Sequence, residues 1–370
     1  MKQIRHRTGA VTEMEQTTAK KNKYEIDMCN GTIMDKLISF SLPLMLSGIL
    51  QLMFNAVDII VVGRFSGSQA LAAVGSTSAL INVFTNLFIG ISLGANVLTA
   101  RFYAAGREKE VSETVHTAIT LALVSGIVMA LVGLVFSKGA LALMGTPDDV
   151  IGLSALYMRI YFLGMPFFML YNYGAAILRA VGDTKRPLLF LMIAGVINAC
   201  LNMVLVIVFK LGVAGVAIAT VISQMISCVL VLRCLCRSES SYRLRFSELG
   251  MKGYYLKQIF SVGVPAGIQS TVINFSNVLL QSSVNSFGST AMAGYTAANN
   301  LLGFLYVSVN SITQACMSFT SQNYGVGKLK RMDRVLADCM ILSVVVAVVL
   351  GCICYGFGPE ILQIYTEDAE

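Results

Sequence analysis

The sequence predicts an all-α polytopic membrane protein with two parallel-repeat six-helix lobes, the second incomplete, and about nine spans present. Three observations predict it. The chain is 56% hydrophobic and only 13% charged, whereas soluble domains carry roughly 25% charged residues. Its mean hydropathy is +0.72, and its apolar residues gather into runs long enough for the ~20 residues that cross a bilayer core. Its Lys and Arg fall between those runs with a strong one-sided bias.

Nine runs can be read along the chain: 37–62, 69–100, 114–137, 151–178, 187–209, 213–236, 259–284, 290–321 and 335–358. Several exceed the minimum length, so tilt or extension beyond the membrane is expected. The first 35 residues are polar and charged and carry no secretory signal. They read as a flexible cytoplasmic tail, 1–35. With the N-terminus inside, Arg64, Lys138 and Lys210 are the basic residues left outside, out of 27 Lys and Arg in all. Arg159 falls within a span and is expected to snorkel to the interface. The rest lie inside, as the positive-inside rule requires. This predicts a multi-pass protein of a cell membrane, the bacterial plasma membrane, with the N-terminus cytoplasmic.

An internal repeat recurs at an offset of about 221 residues. Phe40-Ser41-Leu42-Pro43 matches the segment Ser261–Pro265, and Phe65–Ala72 matches Phe287–Ala293. Arg101-Phe102-Tyr103-Ala104-Ala105-Gly106-Arg107 matches Gln322-Asn323-Tyr324-Gly325-Val326-Gly327-Lys328. Six spans separate the copies, so both insert the same way and their pseudo-symmetry axis follows the membrane normal. The expected division is a first lobe at 36–236, a cytoplasmic linker at 237–258 and the first three spans of a second lobe at 259–370. Three spans are then missing from a twelve-span plan, and the chain reads as truncated in its second half.

Asp58 is the one charge between Leu37 and Val62. A carboxylate near the bilayer centre costs about 2.5–3.5 kcal/mol on insertion scales and marks an ion or substrate path. Gln51, Asn55 and Asp58 are spaced four and three apart, which places them on one helical face. Asn198 and Asn202 share a face of the fifth run, and Thr220 lies in the small-residue stretch Gly212–Thr220 of the sixth. A carboxylate, amide oxygens and a hydroxyl suit a hard cation, and the same acid could take a proton instead. The competing reading of the amides is simple interhelical hydrogen bonding. Pro43 removes a backbone hydrogen bond from the first run and permits a kink. The second copy has its own stripe, Ser270, Asn274, Asn277 and Gln281, but Leu280 stands where Asp58 would be. The nine cysteines mostly lie inside apolar runs and read as packing residues. With two histidines, His6 and His116, no metal cluster or catalytic base is visible. Arg179–Pro187 reads as a cytoplasmic turn.

These residues resemble the multidrug and toxic compound extrusion (MATE) family. Four elements carry the likeness: Pro43 with Asp58-Ile-Ile-Val-Val-Gly63-Arg64-Phe65-Ser66-Gly67; Ala104-Ala105-Gly106 with Tyr324-Gly325-Val326-Gly327; Gly182-Asp183-Thr184-Lys185-Arg186-Pro187; and Asn198 to Asn202 followed by Gly215–Thr220. The resemblance implies two six-helix lobes around a cavity that alternates between faces. It implies export of amphipathic organic cations in exchange for sodium ions or protons. It links the coupling ion to Asp58, Gln51, Asn198, Asn202 and Thr220; with Asn55 added from its place on the same face, the expectation is an ion at Asp58 with these as neutral partners, a sodium ion, if that is the ion, being held by Asp58, Asn198 and Asn202. Pro43 matches a proline whose bending accompanies ion binding. Asn202 stands where the family often has an aspartate, so this lobe has a single acid. The expectation is a monomeric antiporter in the bilayer that needs no cofactor and binds no nucleic acid. A lipid-linked-precursor flippase is the nearest rival, and a membrane-embedded enzyme a remote one.

Overall fold

The computed structural model describes residues 24–285 and 289–356, all of them helical or in short connections. The first lobe comprises α1 (Met34–Ser66), α2 (Ser68–Ala104), α3 (Glu108–Leu143), α4 (Asp148–Leu163), α5 (Met165–Ala180), α6 (Lys185–Asn202) and α7 (Gly212–Cys236). The second comprises α8 (Gly253–Asn285), α9 (Ser289–Gly325) and α10 (Leu329–Gly356). Six described helices are long and apolar enough to cross a membrane. A seventh span is the pair α4 and α5, bent by 47°, where the sequence suggested one run. Gly164 and Pro166 cause the bend, because proline at the start of α5 has no N–H to continue α4. The long helices α8 and α9 carry more polar residues than these spans, which lowers their apolarity but not their reach. The end of 357–370 and the tail 1–23 lie outside the described residues.

The repeat is visible in the backbone. α2 and α9 end on Gly106 and Gly327, with φ of 69° and 72°. In each turn the glycine N–H bonds three residues back, Gly106 to Tyr103 and Gly327 to Tyr324, both at 3.1 Å. The next N–H bonds five back, Arg107 to Phe102 at 3.0 Å and Lys328 to Asn323 at 2.9 Å. A left-handed glycine satisfying terminal carbonyls is how such helices stop. The same stop at the same offset makes α2–α3 and α9–α10 copies of one unit.

Glycines let the lobes touch. α2 presents Gly90 and Gly94, and α8 presents Gly263 and Gly267, four apart in each helix. A Cβ on Gly90 would strike the Gly267 backbone, one on Gly94 the Ile259 carbonyl, and one on Gly263 the Ile91 backbone. Small residues at this spacing are what close helix approach in a membrane requires. Beside them, Gly48 of α1 receives Val307 of α9.

Residues 24–33, expected as part of a flexible tail, instead form a strap across both lobes. On the first lobe, Tyr103 and Tyr242 each donate to Glu25 at 2.8 Å, and the Ile26 N–H bonds the Gly182 carbonyl at 3.2 Å. Gly182 has φ 98°, and a Cβ there would collide with Ile26. On the second lobe, Met28 is fully buried with Phe319 and Val335. Asn323 donates to its carbonyl at 3.1 Å, and Lys328 and Arg331 hold the carbonyls of Cys29 and Gly31, both at 2.9 Å. The linker answers in kind. Before entering α8 it crosses α3, where the Arg245 N–H donates to His116 Nε2 at 3.1 Å and Lys252 pairs with Glu113. Each lobe's first helix is therefore preceded by a segment seated on the other lobe. Burial pushes the Tyr242 phenol up, which keeps it protonated as a donor to Glu25.

Two outcomes follow. Gly90→Val forces α2 from α8 and lowers the yield of folded, monodisperse protein, read by size-exclusion chromatography, whereas Gly139→Val, with open space around it, leaves it unchanged. Glu25→Ala leaves the buried Tyr242 phenol and the half-buried Tyr103 phenol without this acceptor, at a cost of about 1–3 kcal/mol for the buried one. The strap loosens, and maleimide labelling of the half-buried Cys29 accelerates several-fold in timed mass spectrometry.

Candidate functional site

The first lobe closes around Asp58. Its carboxyl is buried on α1, 8% exposed, and α6 and α7 supply its partners. Asn202 Nδ2 donates to one carboxylate oxygen, and the Thr220 hydroxyl lies 3.4 Å from the other. Asn198 joins the same network: it accepts from Asn202 at 3.2 Å and donates to Thr220 at 3.5 Å. Four residues read from helical spacing thus meet in space across three helices. Asn202 is fully buried and Asn198 is 5% exposed.

Local structure explains the convergence. α6 carries Asn198 and Asn202 one turn apart, then passes into a π-helical segment, Met203–Val208. Such segments recur at functional sites, where they shift the helix face. α7 approaches through Gly215, whose Cβ would lie 3.2 Å from the Leu205 carbonyl group. Gly195 of α6 leaves room for the Phe54 ring of α1, which a Cβ would overlap.

Asp58 looks into a cavity of about 320 Å³ inside the first lobe. Gln51 and Asn55 line it without bonding Asp58, and Asn55 is exposed. The walls also include residues that spacing within single helices did not single out. Tyr157 and Tyr161 of α4 stack at 6.1 Å, and Phe54, Phe168, Tyr171 and Gln224 are among the other lining residues. One carboxylate among aromatic faces can bind an organic cation, since rings attract cations electrostatically, or a small inorganic ion. Two polar atoms beside it have no partner, Asn202 Oδ1 and Gln224 Oε1. Both are oxygens, and a buried acceptor without a donor is costly unless a cation or water meets it. Among the described residues no group of three or more His, Cys, Asp or Glu could hold a metal.

Pro43 sits buried within α1, which runs through it from Met34 to Ser66, with the Ser47 hydroxyl bonding its carbonyl at 2.8 Å. Arg159 is exposed on α4, as a snorkelling residue would be. Arg179 differs from expectation. It lies in the last turn of α5 and lines the cavity between the lobes, so the turn proper begins after it. There Asp183 is fully buried and pairs with Arg186, whose N–H also bonds it at 3.1 Å. In the second copy, Ser270, Asn274 and Asn277 reach the inter-lobe cavity too; the side chain of Gln281 lies outside the described residues.

The MatE family model matches residues 43–204 and again 265–370, once in each half of the repeat. The chain belongs to the MatE family. It is 34% identical over 340 residues to the probable multidrug resistance protein YoeA of Bacillus subtilis, covering 90% of this chain and 73% of that protein. It is 22% identical over 336 residues to the multidrug export protein MepA of Staphylococcus aureus, with coverage of 90% and 73%. The fold resembles an outward-facing multidrug resistance MATE family transporter of the MOP superfamily, with TM-score 0.87 and 21% identity over 94% of this chain and 77% of that one. It also resembles a MOP superfamily transporter from Pyrococcus furiosus described as having a binding pocket of reverse polarity, with TM-score 0.87 and 21% identity over 95% and 78%. The MatE fold accounts for the all-helical architecture and for the membrane location of the chain.

The geometry separates the two classes of predicted residue. Asn202→Leu removes the donor from a buried carboxylate and destabilises the detergent-solubilised protein by about 1.5–3 kcal/mol. Asn55→Leu, whose side chain bonds nothing in the network, changes stability by less than about 0.5 kcal/mol. Thermal unfolding of the two variants side by side checks this.

Proposed function

We propose that this MatE chain is a cation-coupled secondary antiporter that exports amphipathic organic cations by alternating access, with Asp58 as its coupling-ion site. The observation that carries the reading is the pairing of one buried carboxylate with neutral donors only, beside an acceptor oxygen that nothing satisfies. A sodium ion would be met by Asp58, Asn202 and Asn198 oxygens, with Asn202 Oδ1 already unpartnered. A proton would neutralise Asp58 and let it donate in place of accepting. Both neutralise the pocket, and both would weaken it for an organic cation held against the same acid and the surrounding tyrosines. Ion and drug then exclude one another, which is the competition antiport needs. A ligand shifts a two-state equilibrium only by its differential affinity for the two states, and a single titratable or ion-binding acid supplies that difference.

The names of the relatives support multidrug export, and their bacterial sources support a plasma-membrane location. The positive-inside bias assigns the strap end of the molecule to the cytoplasm, so the conformation described here is closed on that side. A flippase of lipid-linked precursors gains one observation, the guanidinium of Arg179 between the lobes, and so remains the second reading.

The test is efflux of a fluorescent cationic dye from proteoliposomes, with sodium and proton gradients imposed separately. We expect one gradient to drive efflux and Asp58→Asn to abolish that dependence, with a loss of at least tenfold in rate. Efflux indifferent to Asp58→Asn would remove the acid from coupling. Absence of gradient-driven efflux would favour the flippase.

A further inference from the structure

A polar cavity of about 640 Å³ lies between the lobes and is walled by α1, α2, α5, α8 and α9. Its lining is rich in carboxamides, among them Asn86, Asn172, Asn274, Asn310 and Gln314. Among the described residues it contains no carboxylate and one charge, Arg179. Arg179 is half-buried, and no described residue forms an ion pair or side-chain hydrogen bond with it. The strap end beneath it is closed. Asn96 bonds the Ala176 carbonyl at 2.8 Å, Ser318 bonds Asn96 at 3.1 Å, and Gln322 bonds the Ala180 carbonyl at 2.7 Å. A guanidinium has five donors and no acceptors. The cavity lining offers it neutral amides but no carboxylate, so an anion is the partner that its charge lacks there.

The cavity adjoins the Asp58 pocket, since Gln51, Asn86, Ile89 and Asn172 line both. Along α1, Asp58 stands ~10 Å beyond Gln51, away from the strap. Along α5, Arg179 stands ~10 Å beyond Asn172, toward the strap. The two adjoining spaces therefore have a carboxylate toward one end and a guanidinium toward the other.

We infer that the inter-lobe cavity seats amphiphiles through an acidic group, a carboxylate, sulfonate or phosphate, which Arg179 binds with the help of neighbouring carboxamides. Arg suits this because its planar fork meets two oxygens of such a group at once. The inference rests on the cavity being the transport route, and it widens the substrate class from cations to acidic and zwitterionic amphiphiles. Arg179 becomes the residue that selects the acid.

The experiment uses the purified 370-residue chain in neutral detergent and a matched pair of probes, a dansyl-labelled six-carbon carboxylic acid and its methyl ester. Fluorescence titration should show the acid binding about tenfold more tightly than the ester, as a charge-assisted contact implies. Arg179→Gln should erase that preference, and Arg179→Lys should keep part of it. Equal affinity of wild type for acid and ester would overturn the assignment while leaving the cavity as a transport route; this comparison needs no variant to fold. A preference that survives Arg179→Gln would overturn it as well. Binding of neither probe would overturn both the acid site and the reading of the cavity as a substrate seat.

Discussion

A carboxylate placed in an apolar helix must find donors, and that requirement organises the first lobe. Asp58 cannot be met from α1, whose own N–H groups are committed to its backbone ladder. Its donors come from α6 and α7, so these helices must approach α1 closely and in one register. Gly195 and Gly215 permit the approach, and Asn198 orients Asn202 from one turn away. Asp58, Asn202 and Thr220 together tie three helices through a polar contact in a medium that gives little other driving force between apolar surfaces. The same contact is incomplete. Asn202 offers its amide nitrogen to the acid and leaves its oxygen without a donor. A buried oxygen left without a donor is costly, and in the antiport proposed above it is the oxygen that would meet the coupling ion.

The lobes are held together in a different way. Their contact at α2 and α8 is backbone against backbone, through glycines that contribute proximity rather than buried side-chain area. At the strap end an apolar cluster, in which Met28, Leu37 and Phe40 pack with Phe319 and Val335, is joined by a polar layer. Phenols on Glu25, carboxamides on backbone carbonyls and two cations on the Cys29 and Gly31 carbonyls make it up. Each such hydrogen bond contributes a net ~0.5–1.5 kcal/mol, and each can exchange with water when the ends separate. The closed end thus combines a buried apolar cluster with many small polar terms, and opening it in the proposed antiport would have to separate both. The reciprocal seating of strap and linker means that neither lobe can rotate without drawing on the segment that leads into the other's first helix.

How much of this the sequence disclosed depends on whether the information is local. Helical spacing put Asn198 beside Asn202 and placed Asp58 on a polar face, and the four members of the network were legible because burial of a charge leaves few choices of partner. Gln51 and Asn55 share that face but bond nothing in the network, because a face of about 100° is wider than one carboxylate's reach. Tyr157, Tyr161 and Phe168 went unread because aromatic residues in an apolar run look like any lipid-facing or core residue. Their role appears only when the bend at Gly164 and Pro166 turns α4 and α5 around the pocket. The strap was unreadable for a related reason: polar residues before the first span look solvated, and their partners lie almost three hundred residues away. Arg179 was misplaced by a single turn, since the Gly182 punctuation that ends α5 comes just after it.

That last displacement alters the chemistry of the transport route. Sequence reading put all the ionisable chemistry on one acid, and a cavity with one acid selects cations. A guanidinium in the adjoining space makes the route bipolar. In the proposed antiport, neutralising Asp58 by a proton or a sodium ion then does more than displace a cation. It removes one of two opposing charges from adjoining spaces, and the remaining field favours an anion at Arg179. The effect must be reciprocal, because any change that one site makes in the affinity of another is returned in equal measure. An acid seated at Arg179 therefore stabilises the cation-loaded form of Asp58, whereas an organic cation competes with it. A single coupling site would then act on two substrate classes with opposite sign, and the polarity of the inter-lobe cavity, rather than its volume, would decide which class is carried with the ion and which against it.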